Sequence, residues 1–253
     1  MTTEEPLQPF WPAGIRAALS LSFDDGRWSQ TANGFPLLDA HGVKATFYVT
    51  PRAVEQKPDP WRRAAANGHE LGNHTVTHPC SGNFAWCRKN ALEDYTLERL
   101  ERDEILGANA ALERLLGVRP VTFAYPCGQT YVGRGENVCS YVPLVAKHFL
   151  VGRGFMGETA NDPAFCDLAQ VPGIGLDGLT FEEMKTWLDG AVQQGSWLIF
   201  AGHDIGAGGR QNTPAGELEK LCRYVKDPAN GIWVDTLAAV GKYVKRARHS
   251  CEC

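Results

Sequence analysis

Short apolar runs alternate along the chain with longer segments in which apolar residues recur at helical spacing. The apolar runs have the length and the β-branched or aromatic content of strands, and they cover residues 17–23, 44–49, 121–125, 149–155, 197–201 and 232–234. Residues 97–116 place leucine, isoleucine and alanine on one helical face and charged residues on the other. Thr180 to Glu183 has the sequence of a capping box, and Thr213-Pro214 marks another helix start. The alternation predicts an α/β fold with a mainly parallel sheet.

Polar side chains follow the predicted strands at the points where those strands end. Asp24 and Asp25 come directly after the first strand, and His203 and Asp204 follow a late one. In parallel α/β barrels the carboxyl ends of the strands carry the chemistry, so we expect these side chains to share one site.

Length, charge and termini narrow the class of protein. The chain has 253 residues, 25 basic and 29 acidic, with a net charge of -4, which lacks the basic footprint of a nucleic-acid binder. No run is long and apolar enough to predict membrane insertion. The first residues lack the features of a secretory signal, which predicts a cytoplasmic protein; removal of a signal would instead allow an extracellular or periplasmic one.

We expect a single domain over 1–253, with its motifs in 17–205, C-terminal helices and a last strand in 206–245, and a short tail at 246–253.

The eight cysteines contain no Cys-x-x-Cys pair. In a chain of this length we expect free thiols rather than a disulfide framework. Cys251 and Cys253 lie in the predicted tail, where they are available to bind metal or oxidise.

Histidine spacing indicates a metal site. His74 and His78 are four residues apart, which would put both on one side of a helical turn. His69 precedes them in an apparent strand, and we expect it to be structural. With one carboxylate of the Asp24–Asp25 pair, the two histidines would form a facial triad with open coordination positions. Gly26 permits the turn that both carboxylates need to serve one site.

Two further motifs complete the predicted site. The loop Phe123-Ala124-Tyr125-Pro126-Cys127-Gly128 follows a strand and can aim the backbone N–H of Cys127 at a developing oxyanion. His203, delivered by a buried apolar strand, is the candidate general acid.

The order of these motifs resembles the NodB-type polysaccharide deacetylases, carbohydrate esterase family four. The motifs are Ser22–Gly26, His74–His78, Phe123–Gly128 and Phe200–Asp204, within a resemblance that spans roughly residues 17–205. The resemblance implies a distorted (β/α) barrel of seven strands. It also implies metal-dependent hydrolysis of an N- or O-linked acetyl group from a carbohydrate, with release of acetate.

The same resemblance assigns roles by position. It implies that Asp25, His74 and His78 hold one divalent ion. Zn²⁺ is the expected ion, and Co²⁺ and Ni²⁺ are the alternatives. It makes Asp24 the general base, His203 the acid, and the amide of Cys127 the oxyanion donor.

The chain departs from the family pattern near the base. Ala124 stands where the family often has the arginine that orients the base, and we expect Arg153 to supply that guanidinium. Asp177 is the candidate for the aspartate that tunes the acid histidine. Ala201 replaces the usual leucine two residues before His203, which predicts an altered pocket for the acetyl methyl group. Candidates for substrate contact are Tyr125 and two aromatics, Phe84 and Trp86, in an insertion-like loop over residues 79–95; the alternative for these two is that they pin the loop to the body of the protein.

Other functions fit parts of the pattern. An allantoinase-like hydrolase of the same fold would open a cyclic amide, but such relatives often lose the metal ligands. A cysteine hydrolase would use Cys127 as nucleophile beside His203. A non-catalytic sugar-binding module would keep the barrel without needing Asp24. The sugar itself stays open among chitooligosaccharide, acetylxylan, peptidoglycan and small amino sugars.

Overall fold

A computed structural model describes residues 10–250 of the chain. Its strands are β1 Ala17–Phe23, β2 Thr46–Val49, β3 Glu70–Asn73, β4 Thr122–Ala124, β5 Tyr131–Val132, β6 Cys139–Ser140, β7 Val151–Arg153, β8 Ile174–Gly175, β9 Trp197–Gly202, β10 Asp204–Ile205, β11 Asn212–Thr213 and β12 Ile232–Val234. Its α-helices are α1 Phe35–Ala40, α2 Pro51–Glu55, α3 Pro58–Ala66, α4 Leu97–Arg99, α5 Gly107–Leu116, α6 Val142–His148, α7 Phe181–Gln194, α8 Ala215–Lys226 and α9 Leu237–Ser250.

The main sheet is parallel and curls into a distorted (β/α) barrel. Seven strands follow in the order β7-β4-β3-β2-β1-β9-β8, and β12 pairs with β1. The segment leading into β8 bridges the two edges, because Val171 pairs with Arg153 at the end of β7 while Ile174 pairs with Phe200 of β9. The predicted seven-stranded barrel is therefore confirmed.

The strands are buried on both faces, as expected where helices cover a parallel sheet. Outward side chains such as Leu19, Phe47 and Phe200 pack under the surrounding helices, whereas Ala18 and Tyr48 belong to the inner cluster. The inner face leaves little space, because a Cβ at Gly72 would lie 2.5 Å from the ring of Tyr48.

The predicted helix over 97–116 is present with an irregular middle. Its first turn, α4, is capped by Thr96 and continues as a π-helical segment, Leu100–Leu106, before α5. Gly117 ends the helix in the left-handed conformation, φ 70°. The capping box at Thr180 is also confirmed, since both reciprocal hydrogen bonds with Glu183 are made.

The C-terminal part packs against the barrel. Strand β12 lies beside β1, and α9 covers the inner cluster through Leu237, Val240 and Val244. Between residues 10 and 250, none of the helices combines the length and the apolar character needed to cross a membrane.

The expectation of free thiols is wrong for two cysteines. Cys80 and Cys127 form a disulfide across a sequence separation of 47 residues. The disulfide joins two loops that the fold brings together at one end of the barrel. The spacing of the cysteines in the sequence does not predict this pairing. Cys87, Cys139, Cys166 and Cys222 are free thiols; Cys251 and Cys253 lie outside the described residues.

Candidate metal centre and active site

The candidate site lies at the carboxyl ends of the parallel strands. Asp24 follows β1, His74 follows β3, Arg153 ends β7, and His203 follows β9. Gln30 ties two of these ends together, because its buried amide donates to the backbone carbonyls of Asp24 (2.6 Å) and His203 (2.9 Å). The predicted convergence of residues from distant parts of the chain is therefore present.

The chain turns sharply where the two aspartates meet. Asp25 and Gly26 both adopt left-handed backbone conformations, with φ 73° and φ 66°. Such a conformation is uncommon for a residue other than glycine, although aspartate tolerates it better than most. The turn lets both carboxylates face the same cavity, with Asp24 buried and Asp25 partly exposed.

The two histidines do not lie on a helical turn, contrary to the expectation from their spacing. His74 directly follows β3, and the loop that leads to His78 contains two left-handed residues, Thr75 (φ 62°) and His78 itself (φ 54°). The buried carboxylate of Glu104 accepts hydrogen bonds from the backbone amides of residues 76 and 77, at 3.0 and 2.8 Å. It thereby fixes the loop in a conformation that brings the two rings together.

Asp25, His74 and His78 converge on one point. The Nε2 atoms of His74 and His78 lie 3.6 and 3.5 Å from the same oxygen, Oδ1 of Asp25. The potential ligand atoms of the three side chains all lie within 4.8 Å of one another. The Nδ1 atom of His74 lies 3.0 Å from the carbonyl oxygen of Ala124, which favours an Nδ1–H donor and leaves the Nε2 lone pair facing Asp25.

Two of the three side chains, Asp25 and His78, are held in the form that binds a cation. Burial raises the pKa of Asp25, but His74, His78 and Arg27 outweigh it and hold that pKa far below its ordinary value. Burial and the charge of His74 lower the pKa of His78 to about 4. Burial also lowers the pKa of His74, but Asp25 and Asp24 outweigh it and raise that pKa. A bound cation would replace the charge that a protonated His74 carries between the two carboxylates.

Arg153 contacts the candidate base directly. Its Nη2 donates to Oδ1 of Asp24, and the guanidinium is fully buried. The guanidinium carbon Cζ lies over the ring of Tyr48, 5.0 Å from the ring centroid. The structure thus places a guanidinium beside Asp24 although Ala124 stands in the family's arginine position.

Asp177 contacts the candidate acid at two points. Its Oδ2 lies 2.6 Å from Nδ1 of His203, and its Oδ1 accepts from the backbone amide of His203 at 3.0 Å. The ring of Phe155 packs edge-on against the imidazole at 5.6 Å. Nε2 of His203 therefore points into the cavity, where the amide of Gln211 lies 3.3 Å away.

The third motif forms a tight turn with Cys127 in the left-handed conformation, φ 53°. Cys127 lines the cavity, and its sulfur is bonded to Cys80. A disulfide sulfur is not a nucleophilic thiolate, so this form of the chain does not support the cysteine-hydrolase alternative. Tyr125 is buried, and its hydroxyl donates to the carbonyl of Ala169 at 2.6 Å, so the structure does not bring it to the substrate side.

Aromatic and apolar side chains border the cavity, which has a volume of about 700 Å³. Phe84 and Trp86 are 42% and 64% exposed, and Met156, which lines the same cavity, is 72% exposed. The Trp86 ring lies 5.8 Å from that of His78. Aromatic and apolar side chains around a few polar groups are typical of small-molecule binding pockets.

Sequence reasoning missed Arg27. Its guanidinium donates to Oδ2 of Asp25 (2.8 Å), to Oδ2 of Asp204 (2.7 Å) and to Oε1 of Gln211 (2.6 Å). The two oxygens of Asp25 are thereby divided, one facing Arg27 and the other the histidines. The one signal in the sequence was that Arg27 directly follows the Ser22–Gly26 motif. Its partners Asp204 and Gln211 are 177 and 184 residues away, so no local pattern indicates these contacts.

Known proteins match this chain in sequence and in fold. Residues 14–138 match the polysaccharide deacetylase family. A peptidoglycan-N-acetylglucosamine deacetylase of Bacillus cereus is 33% identical over 115 residues, which are 45% of this chain and 38% of the relative. The match therefore spans well under two thirds of that protein's length.

Solved structures with low sequence identity share the fold. The family 4 acetyl xylan esterase from Clostridium thermocellum, in complex with a cobalt ion, has a TM-score of 0.55 at 22% identity, with 89% of this chain and 90% of that chain covered. Puue allantoinase has a TM-score of 0.66 at 16% identity, with 95% and 94% covered. At these identities the likeness concerns the fold.

Proposed function

Because the chain belongs to the NodB-type polysaccharide deacetylases, we propose that it removes an acetyl group, N- or O-linked, from a carbohydrate and releases acetate. The observation that carries the proposal is the convergence of Asp25, His74 and His78 beside a second carboxylate and a second histidine. The Bacillus cereus relative, named for an N-acetylglucosamine substrate, supports an acetylated sugar.

The donor set fits one divalent ion. A carboxylate and two neutral imidazoles suit Zn²⁺, and also Co²⁺ or Ni²⁺, and three protein ligands leave coordination positions open. We propose Zn²⁺ as the resident ion. When bound, it would polarise the acetyl carbonyl and lower the pKa of a water molecule.

The remaining side chains would handle protons and charge. Asp24, held by Arg153, would take a proton from the attacking water. His203, oriented through Nδ1 by Asp177, would give a proton from Nε2 to the leaving nitrogen or oxygen of the sugar. The backbone N–H of Cys127 would donate to the developing oxyanion. Phe84 and Trp86 would stack on the sugar ring.

Metal content and acetate release test this proposal together. We expect about one divalent ion per chain, loss of acetate release on chelation, and recovery with Zn²⁺ or Co²⁺ but not Mg²⁺. Acetylated chitooligosaccharide, xylan, peptidoglycan fragments and small amino sugars form the substrate panel. Acetate release that is unchanged in a chain shown to be metal-free would refute the metal assignment.

The same panel separates the alternatives. Allantoin belongs in it, because the fold likeness to Puue allantoinase is strong, although Asp25, His74 and His78 are all present here. Opening of allantoin without acetate release would favour the cyclic-amide hydrolase. Sugar binding without turnover of any substrate would favour the non-catalytic module.

Substitution of Asp177 tests the acid. In Asp177→Asn, His203 loses the carboxylate that fixes its tautomer, so kcat should fall, but by less than the roughly 10²–10⁴-fold attributed to a whole general acid and expected for His203→Ala. A folded Asp177→Asn variant with unchanged kcat would show that the contact between Asp177 and Nδ1 of His203 has only a structural role.

A further inference from the structure

The Cys80–Cys127 disulfide touches the candidate metal centre through His78. Sγ of Cys80 lies 3.6 Å from Nδ1 of His78, while Nε2 of the same ring lies 3.5 Å from Oδ1 of Asp25. Cys80 is fully buried, and Cys127 carries the candidate oxyanion amide. The imidazole of His78, itself a predicted ligand, therefore lies between the disulfide and the carboxylate of Asp25.

The two nitrogens of His78 cannot both be ligands while the ring is neutral. A neutral imidazole has one N–H donor and one nitrogen with a free lone pair. In the oxidised chain, an Nδ1–H directed at the disulfide sulfur leaves the Nε2 lone pair facing Asp25. In that tautomer the disulfide would serve as the outer partner that orients His78 toward a metal ion, a role more often filled by an oxygen acceptor.

Reduction would change what stands beside Nδ1. The potential ligand atoms of His78, Cys80 and Cys127 all lie within 4.8 Å of one another. As a disulfide the two sulfurs are weak acceptors, but as thiolates they are strong ligands for soft divalent ions. A lone pair on Nδ1 would complete a Cys-Cys-His set with one position open for water.

We propose that the reduced chain carries a second metal site, formed by Cys80, Cys127 and Nδ1 of His78, which takes a thiophilic divalent ion such as Zn²⁺ or Cd²⁺ and withdraws His78 from the Asp25–His74–His78 set. The withdrawal of His78 rests on the proposed function, whereas the thiolate site itself does not. The disulfide therefore decides which ligand set His78 belongs to.

The chemistry balances with a dithiol as reductant. The dithiol gives two electrons and two protons, the Cys80–Cys127 bond breaks to two thiols, and the reductant becomes a disulfide. Binding of the ion then releases the thiol protons to solvent. Reoxidation by a disulfide of higher potential reverses the sequence and expels the ion.

Cobalt absorption tests the proposal without using activity. The full chain is prepared oxidised or reduced by a dithiol, desalted under inert gas, and titrated with Co²⁺. We expect a sulfur-to-cobalt charge-transfer band in the reduced chain that is absent from the oxidised chain. Reduced Cys80→Ser should lose the band, and reduced Cys139→Ser should keep it, because Cys139 is an exposed free thiol outside the proposed set. Cys127→Ser is the second test if Cys80→Ser does not fold.

The Asp25→Asn variant separates the two proposals. If both hold, the oxidised variant loses Co²⁺ binding, whereas the reduced variant still shows the charge-transfer band. Failure of the proposed function alone would appear as an oxidised wild-type chain that binds no Co²⁺ beside a reduced chain with the band. A reduced wild-type chain without the band, or a band unaffected by both Cys80→Ser and Cys127→Ser, would overturn the second site.

Discussion

Replacement of Asp24 by asparagine is expected to lower kcat by about 10²–10⁴-fold, the usual contribution of a general base. The asparagine keeps the size of the side chain and an oxygen that can accept from Arg153, but it cannot take a proton from water. Asp25, His74 and His78 are unchanged, so the variant should still bind one divalent ion. Steady-state acetate release and metal content of the same preparation measure the two effects.

The paired control is Asp25→Asn, which should lose the ion as well as turnover. KM should change little in Asp24→Asn, because the proposed base would act on water rather than on the sugar. A folded, metal-loaded Asp24→Asn chain with kcat within about tenfold of wild type, below the range expected of a general base, would remove Asp24 from the mechanism. That result would still support Asp25, His74 and His78 as the proposed metal ligands.

The convergence of the site was predictable because it depends on strand ends. Asp24 and His203 directly follow the apolar runs that became β1 and β9, and parallel strands bring their carboxyl ends to one edge. The barrel itself follows from the alternation of such runs with amphipathic helices. Strand bounds shifted by one or two residues, as at β2, which begins at Thr46 rather than at residue 44. The short strand β8 carried no pattern long enough to predict it.

The conformation of the histidine loop was not predictable from spacing. A spacing of four residues from His74 to His78 fits a helical turn, yet the segment is a loop. Oδ1 of Asn73 accepts from the amide of Thr75 at 2.7 Å, and Glu104 accepts from the amide of residue 76. The helical period puts the charged residues of 97–116 on the face opposite the apolar one, yet Glu104 is 3% exposed. The π-helical segment Leu100–Leu106 widens that turn and changes which side of the helix each residue faces.

Contacts between residues far apart in the chain could not be predicted from one sequence for a different reason. Cys80 and Cys127 are 47 residues apart and belong to loops whose approach is set by the barrel. Arg27 meets Asp204 only because β1 and β9 are neighbours. Arg153 was predicted from a vacant charge role beside Asp24, which is a chemical argument and does not need the distance between the residues.

Removal of the guanidinium should affect both stability and turnover. In Arg153→Ala the carboxylate of Asp24 stays buried without its partner, which costs about 3–5 kcal/mol for a broken buried pair. For a chain of this size that corresponds to a fall in Tm of roughly 6–20 °C. Asp24, the proposed base, also loses the group that fixes its orientation, so kcat should fall at temperatures where the variant is folded. Thermal melts and acetate release measure these effects.

Two further variants separate charge from catalysis at this position. Arg153→Lys keeps the charge but not the planar fork, so it should recover more of the stability than of kcat. The pair Asp24→Asn with Arg153→Met removes both charges, and it should be more stable than Arg153→Ala while remaining inactive, because the unpaired buried carboxylate is gone but the base is gone too. Turnover that survives in folded Arg153→Ala would mean that the guanidinium only compensates buried charge. Inactivity in Arg153→Lys at near wild-type stability would show that Asp24 acts as a base only when the planar guanidinium holds its carboxylate in place.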